Sequence, residues 1–122
     1  NINDWKIKKL LKKYQLLFKD YYIKNIEIVF WPIGELHDWH IDNGYKDDQF
    51  NYDITTITYL NKNYEGGRTI VENKTIEQEI GKIVKFYSEK KHMVTELLKG
   101  KRYVIVAWYN KLWYLKSGRQ KL

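Results

Sequence analysis

The chain has 122 residues, a formal net charge of +7 and 16% aromatic residues, with 5 Trp and 11 Tyr among them. That length suits one domain, and the aromatic content excludes a disordered chain. The absence of Cys excludes a disulfide scaffold, an iron–sulfur cluster, a Cys-type zinc site and a thiol nucleophile.

The first element reads as a helix over about residues 4–22. Ile7, Leu10, Leu11, Tyr14, Leu17, Phe18 and Tyr21 recur at three- and four-residue spacings, and Asn3 or Asp4 can cap the start. Lys8, Lys9, Lys12, Lys13 and Lys19 fall on the other side. Such a face is either a patch for nucleic acid or another anionic surface, or the solvated back of a helix that covers a sheet; the second is the ordinary case.

From residue 25 the period changes to two. Ile26, Ile28 and Phe30 alternate with polar or smaller partners, and short β-branched and aromatic segments follow at 36–41, 54–60, 68–72, 82–87, 91–96 and 102–109. Gly34, Asn43-Gly44, Gly66-Gly67, Gly81 and Gly100 punctuate them. One amphipathic helix buttressing a small all-β sandwich or barrel, with its core over about residues 25–110 and one domain over 1–122, is the expected architecture. Residues 112–116 add a last strand or pack as a tail. The longest apolar run, Tyr103 to Tyr109, falls far short of the about 18 residues of a membrane span. Residues 1–20 are too rich in Lys for a secretory leader, so a cytoplasmic location is expected.

The three His are His37, His40 and His92. Residues two apart on a strand share a face, so His40 and Asp42 can converge on one ion. His37, three residues from His40, is expected on the opposite face, in a surface or supporting role. Two His and one carboxylate on one side of a metal form the facial triad that leaves positions open for oxygen chemistry, and His92 is the remaining His that could complete it. Each residue also has an ordinary reading: a hydrogen-bonded strand His, and an Asp favouring the turn before Asn43-Gly44.

The run His92-Met93-Val94-Thr95-Glu96 through Arg102-Tyr103 to Trp108 does not stand alone. With Trp31-Pro32-Ile33-Gly34, His40-x-Asp42, Thr55-Thr56-Ile57-Thr58-Tyr59-Leu60-Asn61, Glu65-Gly66-Gly67 and Gly81 to Phe86, it resembles the 2-oxoglutarate- and Fe(II)-dependent oxygenases, above all their prolyl 4-hydroxylase-like branch. These elements keep the family's order across residues 31–109. The resemblance implies a double-stranded β-helix, or jelly-roll barrel, with a helix outside it. It matches His40, Asp42 and His92 to the iron ligands. It matches Arg102 to the cation that holds the far carboxylate of 2-oxoglutarate, a role suited to a guanidinium fork, and Tyr59 to a hydroxyl on the same carboxylate. Thr55 and Ile57 share the strand face of Tyr59 and are candidates to line the cosubstrate pocket. Trp108 matches an aromatic residue at the mouth, though barrel packing explains it equally well.

The implied cofactors are Fe(II), 2-oxoglutarate and O2, with ascorbate admitted as an accessory. The implied reaction is hydroxylation of a C–H bond, with 2-oxoglutarate going to succinate and CO2. A prolyl residue of a peptide or protein is the leading substrate. A free amino acid, a nucleobase or another small molecule is the alternative within enzymes. A basic nucleic-acid-binding module on the same barrel is the alternative outside them.

Relatives that halogenate replace the triad carboxylate, and nucleic-acid demethylases carry a second Arg six residues past the cosubstrate Arg. Asp42 is present, and Trp108 stands at the latter position. Two departures from the prolyl hydroxylase pattern stand out. Phe30 and Trp31 occupy the place of a Tyr near the iron end of the cosubstrate, and Tyr52 and Asp53 that of an Arg tied to substrate handling. Residues 43–52 are expected to form a lid.

Overall fold

The computed structural model describes residues 4–42 and 51–112. Helix α1 (Asp4–Leu17) precedes ten strands: β1 (Tyr21–Trp31), β2 (His37–His40), β3 (Ile54–Tyr59), β4 (Glu65–Gly66), β5 (Thr69–Val71), β6 (Lys74–Thr75), β7 (Ile83–Tyr87), β8 (His92–Val94), β9 (Leu97–Lys99) and β10 (Arg102–Lys111). They form two four-stranded sheets, ordered β1-β10-β3-β7 and β2-β8-β5-β6, and a small β4-β9 ribbon. Every pairing is antiparallel. This is the jelly-roll architecture expected from the sequence, in which two facing sheets bury their inner faces. The described helix is not long and apolar enough to cross a membrane.

β10 is the spine of the larger sheet, paired with β1 from Trp31↔Arg102 to Tyr21↔Lys111 and with β3 from Val104↔Tyr59 to Tyr109↔Ile54. Its alternation separates two clusters. Ile105, Ala107 and Tyr109 face outward and pack with Ile54 and Tyr14 of α1. Val104 and Val106 face inward with Ile57, Tyr59, Ile76 and Phe86. β3 is buried on both faces along its whole length. Covering a sheet residue such as Ile54 fully stabilises the fold by about 1.5–3 kcal/mol, and α1 supplies the outer cover.

α1 stops five residues before the expected end. The Phe18 amide closes the last turn on the Tyr14 carbonyl (3.1 Å), and the Tyr21 amide then bonds the Phe18 carbonyl (3.1 Å) and opens β1. The helical spacing seemed to continue because Phe18 and Tyr21 pack on the same outer cluster as Tyr14 without being helical. Leu17, assigned to the apolar stripe by its spacing, is exposed. Lys8, Lys9, Lys12, Lys13 and Lys19 are exposed, as expected of the polar side.

The period of two holds in β1, and the structure sets its phase. Ile28 and Phe30 are 60% and 48% exposed, whereas Val29 and Trp31 pack on the inner cluster. β1 is apolar on both faces, so alternation alone does not say which face turns inward. The suggested lid lies mostly outside the described residues, as do Asn3 and residues 113–116 of the proposed tail.

Candidate metal centre and cosubstrate cavity

β2 and β8 bring His40 opposite His92 in register. Asp42 follows β2 by two residues, its amide bonded to the Ser88 carbonyl at 2.7 Å. His40 Nε2 lies 3.6 Å from Asp42 Oδ1, and His92 Nε2 lies 3.4 Å from Asp42 Oδ2. Ligand atoms of the three residues all lie within 4.8 Å of one another, a spacing that one ion can bridge.

Both rings present the same nitrogen. His40 Nδ1 is 2.7 Å from the Asp38 carbonyl, and His92 Nδ1 is 2.9 Å from the Lys90 carbonyl. A carbonyl only accepts, so each Nδ1 carries a proton and Nε2 is the nitrogen turned to Asp42, the one left to bind a metal once it gives up any proton of its own. Asp42 is held as firmly: Thr55 Oγ1 (2.9 Å) and Trp108 Nε1 (3.2 Å) both donate to its Oδ2. The Thr55 hydroxyl is in turn 2.8 Å from that of Ser88. Burial pushes the Asp42 carboxyl up, but His92, Thr55 and His40 outweigh it and hold the group below its ordinary value. Burial likewise pushes His92 down, and Asp42 with the Lys90 carbonyl more than reverses that.

His37 is not on the far face. The pairing of β2 with β8 slips between His37 and His40, which breaks strict alternation, and the two rings stack with centroids 3.7 Å apart. Burial and the neighbouring His40 lower its pKa, so it lies against the triad as a neutral ring.

A cavity of about 230 Å³ runs from the triad between the sheets, lined by Val29, Trp31, Thr55, Ile57, Val104, Arg102 and Trp108 among others. Arg102 sits in it 1% exposed. Its Nη2 donates to Thr69 Oγ1 (3.0 Å), and the guanidinium carbon lies 5.2 Å from the Trp31 ring and 5.7 Å from the Tyr59 ring. Among the described residues no carboxylate pairs with it. Its Nε and Trp31 Nε1 are buried without a hydrogen-bond partner among the described residues, and the buried Tyr64 hydroxyl sits against the guanidinium. Tyr59 donates to Thr69 Oγ1 at 3.0 Å, so one threonine oxygen receives both Arg102 and Tyr59.

Gly67 lets the guanidinium arm through. Its φ is +57°, and a Cβ there would stand 2.9 Å from Arg102 Cδ and 3.2 Å from Leu97 Cδ1, which only glycine avoids. Thr69 and Tyr64 were not singled out in the sequence. Thr69 lies within an expected strand, and Tyr64 shows its place only through the fold.

The comparisons with known proteins bear on this arrangement. The family model of the 2OG-Fe(II) oxygenase superfamily matches residues 28–110. The chain belongs to that superfamily. A PKHD-type hydroxylase of Synechococcus sp. (strain CC9605) is 30% identical over 91 residues, 70% of this chain and 40% of that protein. Another, from Gloeothece citriformis (strain PCC 7424), is 29% identical over 75% of this chain and 45% of its own. The chain thus spans less than half the length of these curated relatives. A Trichoplax adhaerens prolyl hydroxylase, solved with a hypoxia inducible factor peptide, superposes with a TM-score of 0.68 at 24% identity, over 93% of this chain and 60% of its own. The viral collagen prolyl hydroxylase of Paramecium Bursaria Chlorella virus-1, a 2OG complex, does so at 0.63 and 19%, over 89% and 70%. These two likenesses carry the fold. The family implies Fe(II), 2-oxoglutarate and O2, and the residues of this chain fit them: two imidazole nitrogens and a carboxylate at one end of a cavity, and a buried cation with no carboxylate among the described residues at the other.

Proposed function

We propose that this chain carries the catalytic centre of an Fe(II)- and 2-oxoglutarate-dependent hydroxylase acting on a prolyl residue of a peptide or protein. The observation that carries the reading is one cavity with a His40–Asp42–His92 cluster and a buried guanidinium, Arg102, that has no carboxylate of its own. In this reading His40, Asp42 and His92 hold the iron. Arg102 receives the far carboxylate of the keto acid, with Tyr59 beside it. Bound Fe(II), with 2-oxoglutarate and O2, supplies C–H oxidation with succinate and CO2 as coproducts, and ascorbate serves as an accessory.

The residues provide orientation and dryness. Thr55 and Trp108 fix the Asp42 carboxylate, and Val29, Ile57, Val104 and Val106 keep the cavity wall apolar. Outside it, an open groove of about 680 Å³, lined by Trp39, His40, Ile41, Glu72 and Lys91, passes beside the triad. Its open form and exposed Trp39 suit a peptide, and the names of the Trichoplax prolyl hydroxylase and the viral collagen prolyl hydroxylase favour prolyl.

The test is succinate formation from 2-oxoglutarate with Fe(II), O2 and a panel of prolyl peptides beside free amino acids. Peptide-dependent succinate, lost in His92→Ala, is expected. Turnover retained in His92→Ala overturns the triad. Stimulation by free amino acids alone overturns the peptide substrate.

A further inference from the structure

Trp31 offers a buried donor that no described residue accepts. Its Nε1 has no hydrogen-bond partner, and indole nitrogen can only donate. A buried donor without an acceptor is costly, so an unpaired one on a residue that lines a cavity is a natural place for a ligand acceptor. Trp31 lines the same cavity as the triad. Its ring is 5.2 Å from the Arg102 guanidinium carbon and 6.4 Å from the His37 ring, and His37 stacks on His40. The indole therefore neighbours both the buried cation and the ring stacked on a metal ligand. Its surroundings there are poor in acceptors: Arg102 only donates, and Val29, Val94 and Val104 have no polar side-chain atom. Of the lining side chains with an acceptor oxygen, Asp42 and Thr55 are engaged with each other, Asp42 also taking the Trp108 N–H, and Glu27, four residues back on β1, makes no bond to the indole.

We propose that Trp31 Nε1 donates a hydrogen bond to a carboxylate oxygen of the bound 2-oxo diacid. The inference rests on the cosubstrate reading above and adds to it a binding residue particular to this chain, at the position where the sequence departs from a phenol. A phenol both donates and accepts and titrates near pH 10; an indole N–H donates only and keeps its proton. The pocket therefore discriminates for acceptor oxygens beside the indole and does so independently of pH across the neutral and alkaline range.

The test uses the chain loaded with Zn(II), which is diamagnetic and redox-inert, and reads binding without turnover. The chain has 5 Trp, hence five indole N–H resonances, and the one missing from Trp31→Phe is assigned to Trp31. Titrating 2-oxoglutarate into the Zn(II) protein is expected to move that resonance downfield, as for an N–H gaining a charged acceptor. Trp31→Phe keeps an aromatic ring, so it is expected to weaken 2-oxoglutarate binding about tenfold while leaving Zn(II) affinity unchanged. Saturable 2-oxoglutarate binding with an unmoved Trp31 resonance overturns this inference and leaves the cosubstrate reading standing. Absence of any Zn(II)-dependent 2-oxoglutarate binding to the folded wild-type chain overturns both. Because the resonance shift is read on the wild-type protein, the outcome does not depend on how well the variant folds.

Discussion

The two ends of the cavity are built on opposite rules. At the metal end the polar atoms are tied into the protein: each His Nδ1 to a main-chain carbonyl, and Asp42 Oδ2 to Thr55 and Trp108. Toward the buried cation two polar atoms of cavity-lining residues, Trp31 Nε1 and Arg102 Nε, have no partner among the described residues. A metal needs ligands already aimed, so orienting bonds are made in advance. A small anion brings its own acceptors, so donors are left over for it, at a cost to the unliganded fold. The contrast separates residues that prepare a site from residues that wait for a ligand.

The strongest way to break this contrast is at Arg102. Arg102→Met is expected to lower 2-oxoglutarate affinity by about 100-fold or more, measured by titration of the metal-loaded protein. Without ligand the same change is expected to stabilise the protein by about 1 kcal/mol in denaturant melts, because it removes a buried cation without a carboxylate. Loss of both affinity and stability would mean that Arg102 is structural.

At the opposite end, Thr55→Val is expected to weaken metal binding by about tenfold, since Asp42 Oδ2 keeps only Trp108. Competition with a chelator reads this, and the 2-oxoglutarate affinity of the metal-saturated variant should change much less. Gly67→Ala should do the reverse. It presses on the Arg102 side chain and is expected to weaken cosubstrate binding several-fold with metal affinity intact, so equal effects on both ligands would erase the distinction between the two ends.

The smallest effect lies outside the cavity, in the outer cluster. Tyr109 is buried under α1, its hydroxyl 2.9 Å from that of Thr56, and burial raises its pKa from 10.0 to about 12. The unfolded chain loses that proton first. The contribution is whole below pH 10.0 and is lost as pH rises toward about 12. Denaturant melts across that window should fall less steeply for Tyr109→Phe than for the parent.

The β architecture and the His40–Asp42 pair were readable from local pattern: alternating strands broken by glycines, and His and Asp two apart. His92, Arg102 and Tyr59 were assigned only through the family resemblance, because no spacing joins them to that pair. What neither supplied depends on convergence: Trp31 of β1, Tyr64 of a connection and Thr69 of β5 gather around Arg102 of β10. His37 was misplaced by a register slip that has no sequence signature here, and the face of β1 that turns inward stayed open because the strand is apolar on both sides. The helix end was obscured because Phe18 and Tyr21 serve the same cluster in a different backbone conformation.

The two orienting acceptors at the metal end are both main-chain carbonyls, each two residues before the His it holds. Side chains at Asp38 and Lys90 therefore play no direct part in choosing the imidazole tautomer. Lys90, whose ammonium pairs with Glu72 at 3.4 Å, can change without redirecting the carbonyl beside it. Asp38 differs: its Oδ1 accepts from the Trp39 amide at 2.8 Å, so a substitution there that loosens the backbone carries through the carbonyl to His40.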